Sequence, residues 1–258
     1  MPKFCANLTM LYTEHDFMDR FAAAAGSGFK GVEYLFPYDY EKERLAEQLH
    51  THQLNQVLHN LPAGSWADGE RGIACLPDRI GEFQDGVGQA IAYATALGCQ
   101  QVNCLAGIKP DGIDSGRAAS VLVDNLRFAA TKLEDVGIKL LLEPVNDRDI
   151  PGFFVTNSAQ AMALIDDVGS DNLYLQYDFY HMQIMEGDLA STFERLKARI
   201  AHVQLADTPG RHEPGTGEIN YPFLFNWLER QGYAGWIGCE YKPRAGTEQG
   251  LGWYQPYR

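Results

Sequence analysis

The sequence predicts a single-domain (β/α)8 TIM barrel of the α/β class, and three observations carry that expectation. Its 258 residues fall close to the ~250 typical of this architecture. Short apolar runs rich in β-branched and aromatic residues recur eight times with longer helical patterns between them, as repeated βα units building a parallel sheet require. Glycines punctuate the return from helix to strand at Gly28, Gly98, Gly137 and Gly232, where a left-handed cap is least costly for a residue without Cβ.

Taken in order, the strands are expected at Phe4–Leu8, Gly31–Phe36, Gln56–Asn60, Gln101–Leu105, Lys139–Glu143, Leu173–Asp178, Ala201–Leu205 and Trp236–Glu240. Helices fit between them at Asp16–Ala25, Glu41–His50, Ile80–Leu97, Ser115–Val136, Ser158–Val168, Leu189–Arg199 and Tyr221–Gln231. The stretch Leu61–Arg79 after the third strand is too long for a mere connector and reads as a functional loop. A doubly wound open sheet is the competing architecture, but ANLTML after the first strand has no phosphate-binding glycine motif.

Composition narrows the function classes. A formal net charge of −13 argues against a nucleic-acid partner, which needs clustered Lys and Arg to replace counterions. An anionic substrate must then be met by a few local cations. Five cysteines without a C-x-x-C pair indicate neither a disulfide framework nor a thiolate zinc site, and point to a reduced, cytoplasmic compartment. The opening residues lack a secretory pattern, and no run of about 18 apolar residues suggests a membrane span. A homo-oligomer is compatible with the chain, which does not disclose its own assembly state.

The chemistry is concentrated at four consecutive strand ends. Strand five ends KLLLEP at Glu143, strand six LYLQYD at Asp178, strand seven carries Gln204 in AHVQLAD, and strand eight ends WIGCEY at Glu240. In a barrel, strand C-termini and the loops after them form the active face. Any one of these residues could be an ion-paired or helix-capping side chain. Three carboxylates converging would repel one another and be costly to bury unless a cation were present. An oxygen-only set favours a hard divalent metal, magnesium or manganese, over zinc or copper.

The segments ANLTMLYTEHDF, GVEYLFPYDY, HNLPAGSWADGERGIACLPDR, EPVNDRDIPGF, QYDFYHMQ, EPGTGEINY and GWIGCEYKP resemble the hydroxypyruvate isomerase family, within the xylose-isomerase-like barrel superfamily, along nearly the whole chain. The resemblance implies catalytic glutamates at Glu143 and Glu240, and metal ligands at Glu143, Asp178, Gln204 and Glu240. Related ketose epimerases carry histidine at the third ligand position; here it is Gln204, with His202 two residues earlier on the same strand face. His181 resembles a substrate-binding histidine of those epimerases.

Further substrate-binding candidates are His59, beside Asn60, and the cations Arg71, Arg211 and Lys242; each is equally readable as packing or surface. Trp66 is expected to wall the pocket, Glu218 could contribute from the rim, and GTGEIN reads as turn chemistry. The implied reaction interconverts hydroxypyruvate and 2-hydroxy-3-oxopropanoate (tartronate semialdehyde) by metal-assisted proton transfer, on a small oxo- or hydroxy-acid substrate. The alternatives are a 2-oxo-tetronate isomerase or ketose 3-epimerase on the same site and, more remotely, a non-catalytic sugar-acid binding module. A DNA-repair endonuclease on this fold would call for a histidine-rich zinc cluster and a basic groove, which seven histidines and this charge do not provide.

Overall fold

A computed structural model describes residues 1–258. Eight parallel strands close into a barrel in sequence order: β1 Lys3–Asn7, β2 Gly31–Glu33, β3 Asn55–Asn60, β4 Gln101–Cys104, β5 Lys139–Leu142, β6 Leu173–Asp178, β7 Ile200–Leu205 and β8 Trp236–Cys239. Each expected strand is present. Several end sooner than the apolar run, since Glu143 and Glu240 lie just past the last ladder residue.

The helices on the outside are α1 Arg20–Gly26, α2 Lys42–His52, α3 Ile80–Leu97, α4 Ser115–Glu134, α5 Ser158–Val168, α6 Phe179–Met185, α7 Leu189–Leu196 and α8 Tyr221–Arg230. Amphipathic spacing makes α4 bury Val121, Leu122, Leu126, Ala129 and Leu133 along one stripe, while Asp114 caps its start by accepting from Gly116 and Arg117 amides. Gly98 closes α3 at φ 63°, as the glycine punctuation requires.

Two elements depart from expectation. Helix α6 begins directly after β6, leaving no loop to announce it, with Asp178 as its N-cap accepting from Tyr180 N at 2.7 Å. After β8, where the helix of the last βα unit would normally follow, a 3-10 segment Glu248–Tyr257 lays Trp253, Tyr254 and Tyr257 around Phe4, with ring centroids 5.2–5.8 Å away. Aromatic area there does the work of an amphipathic helix stripe.

Register sets the site. Asp178 pairs with Gln204 across β6 and β7, and Gln204 with Gly238 across β7 and β8. Side chains alternate along each strand, so Gln204 and His202 share the barrel interior with Asn7, Glu33, Asn60, Asn103 and Gln176.

Candidate active site

The interior opens at the C-terminal face into a cavity of about 160 Å³, small beside the ~300 Å³ lower bound of drug-sized pockets. Polar groups converge on its floor: Glu143, Gln204, Glu240, His181 and Arg211 all line it. Asp178, fully buried, stands directly behind. Apolar side chains, Met10, Leu35, Trp66, Val145 and Ile150, make up much of the remaining wall.

Each acid is held differently. Glu143 accepts from Asn103 Nδ2 at 3.0 Å. Burial, reinforced by the charges of Glu240 and Asp178, pushes its carboxyl well above the usual range. Glu240 accepts from Arg211 Nη2 at 2.8 Å; burial raises it to about 8, with Asp178 and Glu33 adding to the rise and Arg211 opposing it. Asp178 gives Oδ1 to the α6 cap, while its Oδ2 has no hydrogen-bond partner although buried. Burial raises Asp178 to about 6, against the pull of Arg211 and the Tyr180 and His181 amides.

Asn146 assigns the proton on His181. The Asn146 Oδ1 accepts from the amides of Arg148 and Asp149, which orients Nδ2 toward His181 Nδ1 at 2.7 Å. Burial, with Arg211 adding, holds the imidazole well below its ordinary pKa, so the ring is neutral. With Nδ1 accepting, Nε2 carries the hydrogen. It points toward Asp178 Oδ2 at 3.6 Å and Glu143 Oε1 at 4.0 Å, as a donor aimed into the cavity.

Two side-chain groups have the spacing of a metal site. The ligand atoms of Glu143, Asp178 and His181 lie within 4.8 Å of one another, as do those of Cys5, Glu33 and His202. In the second group the atoms are already spent on each other, His202 Nε2 donating to Glu33 at 2.7 Å and Cys5 Sγ at 3.4 Å. The first group is different: Asp178 Oδ2 is buried without a hydrogen-bond partner, Glu143 and Glu240 line the cavity beside it, and Arg211 is the one cation among these acids. Oxygen donors of this kind fit a hard divalent cation.

The remaining sequence candidates are distributed unevenly. Gln204 lines the cavity, whereas His202 sits deeper, bonded to Glu33. His59 points out of the barrel toward Tyr38, because the alternation on β3 turns Asn60 inward instead. Arg71 stacks on Trp66, its guanidinium carbon 4.3 Å from the ring centroid, and donates to the Trp66 and Glu70 carbonyls; it braces the long loop and does not line the cavity. Lys242 is exposed, engaged only through its backbone amide and carbonyl. Glu218 accepts from Gln183 outside the cavity. Only Arg211 among the three cations reaches the acids, from a left-handed backbone at φ 57° that turns its side chain inward.

The structure also recruits residues that reading the sequence passed over: Glu33, Asn103, Asn146 and Gln176. For Glu33 and Asn103 a signal was present, a polar residue at an inward, buried position of a short strand in GVE and QVNC.

The chain matches the family described as xylose isomerase-like TIM barrel over residues 21–257. It is 55% identical to the hydroxypyruvate isomerase of Escherichia coli (strain K12), with 100% of each chain covered. It is 48% identical to a 2-oxo-tetronate isomerase of Cupriavidus necator, covering 100% of this chain and 99% of that one. A solved structure described as an AP endonuclease, family 2, from Brucella melitensis superposes with TM-score 0.98 at 47% identity and full coverage of both chains. An L-ribulose 3-epimerase, 24% identical with TM-score 0.78 over 99% of this chain and 86% of its own, shares the fold. The chain belongs to the xylose isomerase-like TIM barrel family, and within it to the isomerases related to hydroxypyruvate isomerase and 2-oxo-tetronate isomerase.

Proposed function

We propose that the protein interconverts hydroxypyruvate and 2-hydroxy-3-oxopropanoate, with Glu143 and Glu240 exchanging proton-donor and proton-acceptor roles. The observation that carries this reading is the pair of buried glutamates entering one small cavity from strands five and eight, both with raised pKa. Carboxyls tuned upward are matched to proton transfer near neutral pH.

In the forward direction one glutamate removes a proton from the hydroxyl-bearing carbon C3, giving an enediolate. The other returns a proton to C2, and the hydroxyl proton passes from the C3 oxygen to the C2 oxygen, so the carbonyl has moved by one carbon. His181 Nε2–H and Arg211 donate to substrate oxygens, and Trp66 with the apolar wall limits access of water. Glu143, Asp178, Gln204 and Glu240 would hold a divalent cation, magnesium or manganese. When bound, it supplies Lewis-acid stabilisation of the charge that develops on the substrate oxygens.

A second substrate, the four-carbon 2-oxo-tetronate, is favoured by the 48% identical relative and uses the same chemistry. Nucleic acid fits less well: the net charge is −13 and only one cation lines the cavity. The test is NMR in D2O of the protein with hydroxypyruvate and with 2-oxo-tetronate, in manganese and in EDTA. Isomerisation with deuterium entering the reacting carbons, lost in EDTA, is expected with hydroxypyruvate. Turnover of the four-carbon acid alone would replace the substrate and keep the mechanism; no turnover of either would overturn the reading.

A further inference from the structure

At the base of the cavity lies a polar cluster around Glu33 to which the proton-transfer scheme assigns no task. Glu33, at the end of β2, is 1% exposed, yet its carboxylate accepts from four side chains. Cys5 Sγ and His202 Nε2 donate to Oε2 at 3.4 and 2.7 Å, and Asn7 Nδ2 and Gln204 Nε2 to Oε1 at 3.0 and 2.8 Å. Gly238, the residue of β8 that pairs with Gln204, makes the space: a Cβ there would collide with the Glu33 carboxylate. With four donors directed at its two oxygens, the carboxylate acts only as an acceptor.

A side-chain amide can turn either its oxygen or its nitrogen to a given neighbour, and the surrounding hydrogen bonds decide which. An acceptor-only Glu33 claims the nitrogen of Gln204. The oxygen is thereby turned the other way, where it accepts from Gln176 Nε2 at 2.7 Å and keeps a second lone pair. With the amide reversed, the same side would present N–H dipoles, which would oppose a cation held among the neighbouring acids.

We propose that Glu33 is a positioning residue that locks the Gln204 oxygen toward the carboxylate cluster and thereby sets the cavity's affinity for a divalent cation. His202 and Cys5 hold the far oxygen of Glu33, so the carboxylate itself cannot turn away. Groups behind metal ligands govern affinity in this way by fixing ligand orientation. The inference rests on the metal reading given under the proposed function.

The experiment is manganese binding, read as the electron paramagnetic resonance signal of free Mn²⁺, for the unmodified protein, Glu33→Gln, Gln204→Glu and the double variant, with thermal unfolding recorded for each. Glu33→Gln is expected to weaken binding by about 10–100-fold. Adding Gln204→Glu to it restores a donor-to-acceptor pair with reversed polarity, so that substitution must improve affinity far more in the Glu33→Gln background than alone. A purely structural role would lower the melting temperature without this coupling.

Manganese affinity of folded Glu33→Gln within about twofold of the parent, or equal effects of Gln204→Glu in both backgrounds, overturns the proposal. Should the variants not fold, a manganese-loaded crystal structure of the unmodified protein decides. One terminal atom of Gln204 must contact Glu33 and the other the ion, and a Gln204 turned away from Glu33 overturns the idea. An unmodified protein that binds no manganese would bring down the metal reading and this inference together, whereas failure in the variants alone leaves the metal reading standing.

Discussion

Arg211 donates to Glu240 at 2.8 Å while standing 3.8 Å from the unpartnered oxygen of Asp178, so one guanidinium partly neutralises two buried acids. Removing it takes away the one cation that opposes the rise of both carboxyls. Arg211→Ala is expected to cost the metal-free protein on the order of 3 kcal/mol, the usual scale for breaking a buried ion pair. Manganese should recover much of that loss by taking over the compensation. Urea unfolding with and without the ion measures both; an unchanged midpoint in metal-free Arg211→Ala would contradict the arrangement.

Glu143→Gln and Glu240→Gln keep the side-chain shape but cannot take up a proton. Each is expected to reduce hydroxypyruvate turnover by about 10²–10⁴-fold at saturating manganese while thermal unfolding stays cooperative. Saturation matters because both residues are also proposed ligands. Near-parental turnover in either variant would sink the two-glutamate scheme.

Asn146→Asp replaces the donor to His181 Nδ1 with an acceptor. The imidazole should then shift its hydrogen to Nδ1, and Nε2 would turn from a donor into an acceptor facing the acids. Loss of one substrate hydrogen bond predicts roughly a tenfold or greater fall in kcat/KM. Nitrogen-15 NMR of the ring reports the tautomer directly, and a proton still on Nε2 in the variant would show that Asn146 does not control it.

His59 gives a pH dependence that lies outside the cavity. Burial depresses its pKa to about 4 from an ordinary 6.5, and its Nε2 has no partner. Because the unfolded chain takes up the proton first, the stability that neutral His59 contributes is complete above pH 6.5 and is lost as the pH falls to about 4, up to ~3 kcal/mol. His59→Gln should flatten that part of the curve relative to the parent. Identical slopes for the two proteins between pH 4 and 6.5 would mean the imidazole does not carry this term.

The barrel was legible because its signal is local and repeated. Each buried parallel strand is a short apolar run, each helix an amphipathic stripe ended by a glycine such as Gly98, and chain length leaves one way to arrange eight such units. The grouping of three acids and one amide was legible for the same reason: residues at the ends of consecutive strands are neighbours in any barrel, so Glu143, Asp178, Gln204 and Glu240 could be grouped without coordinates. What needed tertiary structure was everything that depends on side-chain direction across strands far apart in sequence. Glu33 reaches His202 and Gln204 across 169 and 171 positions, and only barrel closure and the missing side chain of Gly238 bring them together. Likewise the selection of Arg211 over Arg71 and Lys242, and of Asn60 over His59, turned on strand parity and on one left-handed backbone angle. Composition cannot encode these, because a cation or imidazole in a loop has the same sequence whether it faces the cavity, a tryptophan or water.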